Sequence, residues 1–206
     1  MSSYPIRDQE NDHLITPLNA ALIIIDYQPT QVNSINSMDR KQLIANIVAT
    51  ARIAKTYDLP VILSTVNVKT GVNKDTIPLL KEALGDIPSY DRSSINAWED
   101  KEFYAAVKAA GRNKLLMAAL WTEACLTFPA LDALKEGYEV YPVVDAVGGT
   151  SLLAHEAALR RMEQAGAKLT SNVQLACELQ RDWNRKETAA GMVHVFRETG
   201  VFLQLD

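Results

Sequence analysis

Short, almost wholly apolar runs alternate along the chain with longer segments in which apolar residues recur at helical spacing. Such runs are typical of strands buried on both faces of a parallel sheet, and the longer segments are typical of amphipathic helices. The predicted strands cover residues 20–25, 60–68, 114–121 and 138–146, with a short fifth near 168–173. The alternation predicts an α/β fold with a mostly parallel sheet and helices on both faces.

Several of the helical segments end at a glycine, which often follows the last turn of a helix. The predicted helices cover residues 39–57, 76–84, 99–110, the segment from the turn after 121 up to Gly137, 151–165 and 174–190. Residues 86–98 are predicted to be a loop. The stretches 193–196 and 201–205 are compatible with strands or with an exchanged arm.

These elements predict one domain with an arm at each end. The domain covers residues 19–185, the N-terminal arm is 1–18, and the C-terminal arm is 186–206. The C-terminal arm mixes charged and apolar residues, so we expect it to pack on a neighbouring subunit. A chain of 206 residues is long enough for one domain with a sizeable core.

Composition narrows the class of protein. A net charge of −4 disfavours a nucleic-acid partner, and there is no apolar run of about 18 residues that would span a membrane. The polar N-terminal segment lacks the apolar core of a secretion signal, so we expect a cytoplasmic protein. Two cysteines, Cys125 and Cys177, do not make a disulfide framework and are expected to be reduced.

Residues capable of chemistry fall where predicted strands end. Asp26 follows the first strand, the Trp121–Cys125 turn follows the third, and Asp145 ends the fourth. The loop that carries Arg92 is expected above the same edge. Ligands of parallel sheets bind at the carboxyl ends of the strands, so this edge is the predicted site.

Cys125 is the candidate nucleophile. We predict Thr122 as the N-cap of the next helix, which puts Cys125 in its first turn, where free N–H groups would lower the thiol pKa and hold an oxyanion. Asp26 is the candidate proton acceptor, and Arg92 would supply a positive field without shuttling protons. The alternative interpretation is that Cys125 is a buried packing residue, since free cysteine is among the most buried residue types.

Other residues have plainer interpretations. Asp145 is expected to order its turn, and Cys177 to pack in a helix. None of the histidines lies at a strand end or beside another candidate: His13, His155, His194. The sequence also lacks a phosphate-binding glycine loop after the first strand, a cluster with metal-ligand spacing and a G-x-S-x-G elbow.

With these residues in place, the chain resembles the isochorismatase-like cysteine hydrolase superfamily, and within it the YcaC-type branch. The resemblance covers roughly residues 19–185 and rests on LIIIDYQ, SINAW, ALWTEACLTFPALDALKEGYEV, VVDAVGG and H-x-x-A-L-R-R-M-x-x-A-G-A. It implies a flavodoxin-like three-layer α/β/α fold with a mostly parallel central sheet of about six strands.

The resemblance also implies roles for residues. The family's aspartate, lysine and cysteine correspond to Asp26, Arg92 and Cys125, so arginine stands where the family has lysine. A cis peptide is implied between Leu120 and Trp121, with the N–H groups of Trp121 and Cys125 as the oxyanion hole. The substrate pocket is expected to contain Gln28, Asn96, Trp98, Trp121 and Phe128.

The implied activity is cleavage of the C–N bond of a small amide through a thioester intermediate. No metal is expected, because residues 64–71 lack the histidines of the metal-binding nicotinamidases, and no cofactor is expected. The expected partners are a small-molecule substrate and other copies of the chain, up to an octamer. One alternative is a non-catalytic protein that uses the same pocket to bind a small ligand or to hold a redox-active thiol. The other is an enzyme that hydrolyses a non-amide acyl bond.

Overall fold

The computed structural model describes residues 8–202. Within this range the chain forms a five-stranded parallel sheet in the order β3-β2-β1-β4-β5. The strands are β1 Ala20–Ile25, β2 Val61–Val66, β3 Ser89–Arg92, β4 Lys114–Ala119 and β5 Glu139–Pro142. Every residue of β1 and β4 is buried, as expected for central strands covered on both faces.

Eight α-helices accompany the sheet within the described residues. They are α1 Pro29–Asn33, α2 Arg40–Thr56, α3 Pro78–Leu84, α4 Lys101–Ala109, α5 Thr127–Lys135, α6 Leu152–Gln164, α7 Asn172–Gln180 and α8 Lys186–Glu198. Right-handed crossovers distribute them over both faces of the sheet, which gives the predicted three-layer α/β/α fold. No helix in residues 8–202 is both long and apolar enough to cross a membrane.

The strand order reverses between β1 and β4. The chain proceeds from β1 to β2 and β3 on one side, and then crosses over to β4 and β5 on the other. In parallel sheets, the carboxyl ends of the two strands at such a reversal are the general location of ligand sites. The register pairs Ile25 with Ala119, which brings the residues after both strands to the same place.

The sheet differs from the sequence prediction at two positions. Residues 89–92, predicted as loop, form β3, an edge strand whose polar sequence carries no apolar run. The strand predicted near 168–173 is reduced to an isolated bridge between Val143 and Thr170 beside β5. The sheet therefore has five strands and not six.

The C-terminal region also differs. The single helix predicted over 174–190 is two helices, because Arg181 adopts a left-handed φ of 60° and ends α7. Residues 193–196 are helical and not a strand, and α8 buries Met192, Val195 and Phe196 against its own chain. Contact of 186–206 with a neighbouring subunit stays a prediction, and residues 203–206 lie outside the described part of the chain.

Candidate active site

Asp26 directly follows β1 and is fully buried. Its φ of 63° lies in the left-handed region, which aspartate adopts more readily than most residues. The backbone N–H of Asp26 donates to the carbonyl of Ser64 on β2 at 3.0 Å, and the Asp26 carbonyl accepts from the Gln28 N–H at 2.8 Å. The position of this carboxylate is therefore fixed by the backbone on both sides.

Arg92, the last residue of β3, forms a two-pronged pair with Asp26. Its Nη1 and Nη2 atoms each donate to one carboxylate oxygen of Asp26 at 2.7 Å, and both side chains are inaccessible to solvent. The guanidinium also donates to Ser64 Oγ and to the carbonyls of Thr65 and Ile95, each at 3.1 Å. These contacts hold the charge of Arg92 at one place and in one orientation.

Cys125 lies in a π-helical turn, Thr122–Leu126, between β4 and α5. The turn begins after Trp121, and no side chain caps it, so the N-cap role predicted for Thr122 is wrong. The Thr122 hydroxyl instead forms a hydrogen bond with His155 Nδ1 at 2.8 Å. Single-turn π-helices occur frequently at functional sites, which agrees with the position of the cysteine here.

The Cys125 thiol meets the Asp26 carboxylate. Burial, and next the negative charge of Asp26, raise the pKa of Cys125 to about 12, while the positive charge of Arg92 opposes this. As a hydrogen-bond acceptor Asp26 also raises the pKa of the thiol, whereas the backbone N–H of Trp121 acts to lower it. Our expectation of a lowered thiol pKa is therefore wrong, because Cys125 is only 8% exposed and its strongest charged neighbour is an anion.

The raised thiol pKa leads to a test by alkylation. In a Cys177→Ser background, alkylation of Cys125 by iodoacetamide should keep accelerating with pH above 9.0, its ordinary pKa value, because the thiolate forms only near 12. Intact-mass measurements from about pH 7 to about pH 11, with glutathione as the reference thiol, give the profile. A plateau at or below pH 9 would show that the thiol is not held protonated by its surroundings.

The peptide bond between Leu120 and Trp121 is cis, which confirms the position implied by the sequence. Trp121 is half-buried, and its indole N–H donates to Ser34 Oγ at 2.5 Å. Phe128, in the first turn of α5, is also half-buried. These two rings remain candidates for the pocket wall.

The polar groups of three predicted pocket residues are used within the chain. The Gln28 amide donates to the carbonyls of Val66 and Lys74 and accepts from the Val66 N–H, so it anchors the segment after β2. Asn96 accepts from the Trp98 N–H and donates to Asp132. The Trp98 indole donates to Glu136. The assignment of Gln28, Asn96 and Trp98 to substrate binding stays a prediction.

Some residues that contact the site carry no sequence signal of that role. Ser64 and Thr65, inside β2, bind the guanidinium of Arg92, and an interior strand position carries no signal of such a role. His155 lies far from any predicted strand end in the sequence, yet α6 brings it to the Cys125 turn. The sequence signal for His155 is the motif H-x-x-A-L-R-R-M, which is part of the family resemblance and begins with this histidine.

Among residues 8–202, no three histidine, cysteine, aspartate or glutamate side chains are grouped in a way that could hold a metal ion. The prediction that no metal takes part stays a prediction.

Comparison with known proteins gives one consistent family. The isochorismatase domain model matches residues 20–174. The probable hydrolase YcaC of Escherichia coli (strain K12) is 38% identical over 166 residues, which cover 80% of this chain and 79% of YcaC.

Solved structures agree with this match. The Escherichia coli ycaC gene product, an octameric hydrolase of unknown specificity, has a TM-score of 0.85 and 35% identity, with 91% of each chain covered. YcaC from Pseudomonas aeruginosa, solved with hexane-2,5-diol and covalent acrylamide, has a TM-score of 0.85 and 32% identity over 96% of this chain and 94% of that one. The chain belongs to the isochorismatase-like hydrolase family, in its YcaC-type branch.

Proposed function

We propose that this protein is a cysteine hydrolase that cleaves the C–N bond of a small amide through a thioester intermediate. The observation that carries the proposal is the position of Asp26, whose two carboxylate oxygens bind the Arg92 guanidinium and which lies close enough to the Cys125 thiol to raise its pKa. A nucleophile bonded to a base that is itself oriented by a third group is the arrangement that nucleophilic catalysis requires.

In the first half of the reaction, Asp26 accepts the thiol proton as the sulfur of Cys125 attacks the carbonyl carbon of the amide. The electron pair of the carbonyl moves to oxygen, and the backbone N–H groups of Trp121 and Cys125 stabilise this oxyanion. When the C–N bond breaks, Asp26 returns the proton to the departing amine. The products of this half are a free amine and an acyl group bound to sulfur.

In the second half, water replaces the amine. Asp26 takes a proton from water as its oxygen attacks the thioester carbon, and the C–S bond breaks as the acid forms. The proton on Asp26 then passes to the sulfur and restores the resting thiol. The raised pKa of Cys125 favours this last step, because burial and the charge of Asp26 favour the protonated sulfur.

Arg92 contributes charge and orientation in this scheme. Burial acts to lower the pKa of Arg92, but its hydrogen bonds to Asp26 and the charge of Asp26 outweigh burial and raise it. Arginine therefore stays charged throughout, and the proton transfers fall to Asp26. Its positive charge stabilises the negative charge of the site, which lies on the Asp26 carboxylate before the proton transfer and moves to the sulfur and the substrate after it.

The size of the substrate is inferred from the relatives and from the burial of the site. The Pseudomonas aeruginosa YcaC structure holds covalent acrylamide, a small amide with an electrophilic carbon. Trp121 and Phe128 would present apolar surface to the acyl side of such a molecule. We also propose that the protein forms homo-oligomers, since its Escherichia coli relative is an octameric hydrolase.

A substrate panel tests the proposal. Small aliphatic and aromatic amides should release amine or ammonia, and mass spectrometry of acid-quenched samples should find the acyl group on the peptide that contains Cys125. Matched esters and thioesters of the same acids serve as controls for the bond that is broken. If the esters or thioesters react and no amide does, the substrate is a non-amide acyl compound; if nothing reacts, the pocket is a binding or redox-thiol site.

A further inference from the structure

The turn that carries Cys125 is also held by the segment that leads into α6. The Thr122 N–H donates to the Gly148 carbonyl at 2.9 Å, and the Thr122 hydroxyl pairs with His155 Nδ1 at 2.8 Å. Thr127 Oγ1 donates to the Thr122 carbonyl at 2.6 Å. All three polar groups of Thr122, three residues before the nucleophile, are therefore engaged.

Glu123 adds a second attachment to the same segment. Its Oε1 accepts from the Thr150 N–H at 3.0 Å and from the Thr150 hydroxyl at 2.6 Å. The fit is close, because a Cβ placed on Gly149 would lie 2.6 Å from Glu123 Oε2 and 3.0 Å from the His155 Cβ. The turn has little room to shift toward α6.

The internal hydrogen bonds of the turn follow two patterns. The N–H groups of Ala124 and Leu126 both donate to the carbonyl of Trp121, at 3.1 and 3.2 Å. The Thr127 N–H donates to the carbonyls of Thr122 and Ala124, so bonds to the third and to the fifth preceding residue coexist in this turn. The contacts of Thr122 and Glu123 with the α6 segment add a constraint from outside the turn.

His155 helps to constrain the turn and has no part in the proton transfers between Asp26, the thiol and the substrate. Its half-buried ring faces Thr122, Glu123 and Glu156, and burial lowers its pKa while the two glutamates oppose this. A neutral imidazole has one donor and one acceptor nitrogen, so it can pair with a hydroxyl at Nδ1 in either tautomer. Its influence on the sulfur passes through Thr122.

We propose that His155 is a positioning residue for the nucleophile: its hydrogen bond to Thr122 fixes the π-helical turn so that the Cys125 thiol meets Asp26. The consequence for turnover rests on the proposed function, whereas the consequence for thiol reactivity does not. A displacement of about 1 Å at a reacting atom can cost about 100-fold in rate, so a positioning bond has a measurable effect.

The experiment measures addition of acrylamide to Cys125 by intact mass in a Cys177→Ser background. Thr122→Val and His155→Leu each remove one partner of the hydrogen bond at similar volume. At about pH 7 the Cys125 thiol is protonated and needs Asp26 in place to take its proton, so both variants should slow adduct formation by about 10- to 100-fold. The double variant should be no slower than either single one, since both remove the same bond. His155→Asn keeps a polar atom at the place of Nδ1 and should lose less, and His194→Leu, an exposed histidine on α8, is the matched control.

Unchanged or faster adduct rates in both single variants, or losses that multiply in the double variant, would overturn the positioning role. Circular dichroism melts identify a variant that fails to fold, and Thr122→Val and His155→Leu serve as independent substitutions for each other. On any amide that the wild type hydrolyses, the loss should appear in kcat with KM nearly unchanged. If no amide is hydrolysed while the adduct rates follow this pattern, the proposed function fails and the positioning role stands.

Discussion

Replacement of Cys125 by alanine is expected to reduce amide turnover by about 10⁴- to 10⁶-fold, to the background rate of the assay. The loss is this large because the proposed reaction has no route without the sulfur: Asp26 would have no proton to take, and no thioester could form. Steady-state assays on the best amide of the panel, together with mass spectrometry of the acyl adduct, measure it. Cys177→Ala is the matched control, because Cys177 is exposed on α7.

Cys125→Ser provides a second, more conservative variant at the same position. The hydroxyl keeps a donor toward Asp26, but an alcohol is far harder to deprotonate than a thiol, so turnover should stay near background. Both variants should remain folded, since each removes or exchanges a single side-chain atom. Turnover at the wild-type level in either variant would end the cysteine mechanism, whatever the substrate.

The central strands and the candidate catalytic residues could be predicted from the sequence for one physical reason. A strand buried on both faces must be apolar throughout, so the first charged residue after it marks both the strand end and the sheet edge. Asp26 and the turn that contains Cys125 follow such runs directly. The edge strand β3 lacks this signature, and Arg92 was therefore placed in a loop although it ends a strand.

The electrostatics of the site could not be predicted from local sequence. The first turn of a helix suggested a lowered thiol pKa for Cys125, but the sign depends on Asp26, which lies 99 positions earlier in the chain and meets the sulfur only after folding. The hydrogen-bond partners of Gln28 and Trp98 could not be predicted either, because they are also distant in the sequence. A polar side chain near a site can bind a substrate or form hydrogen bonds within the protein. Which of the two it does depends on the groups that surround it in the folded structure.

Arg92→Met is expected to lower the free energy of unfolding by about 3–5 kcal/mol, because it leaves the Asp26 carboxylate buried without its cation. Arg92→Lys keeps a charge but cannot reproduce the two-pronged contact with Asp26 or all of the contacts with Ser64, Thr65 and Ile95. It should cost about 1.5–3 kcal/mol, the range for a hydrogen bond to a charged group, and keep measurable turnover, since the family resemblance has lysine at this position. Urea unfolding and steady-state assays give the two quantities.

The double variant Asp26→Asn/Arg92→Met separates stability from catalysis. Removing both charges of a buried pair is often nearly neutral for stability, so most of the loss in Arg92→Met should be recovered, while turnover stays at background because the proton acceptor is gone. Arg160→Met is the control, since its pair with Glu156 on α6 is exposed and should contribute little. If Arg92→Met were as stable and as active as the wild type, neither the buried pair nor the positive field would have the importance assigned to them, and Asp26 would have to be held by its backbone contacts alone.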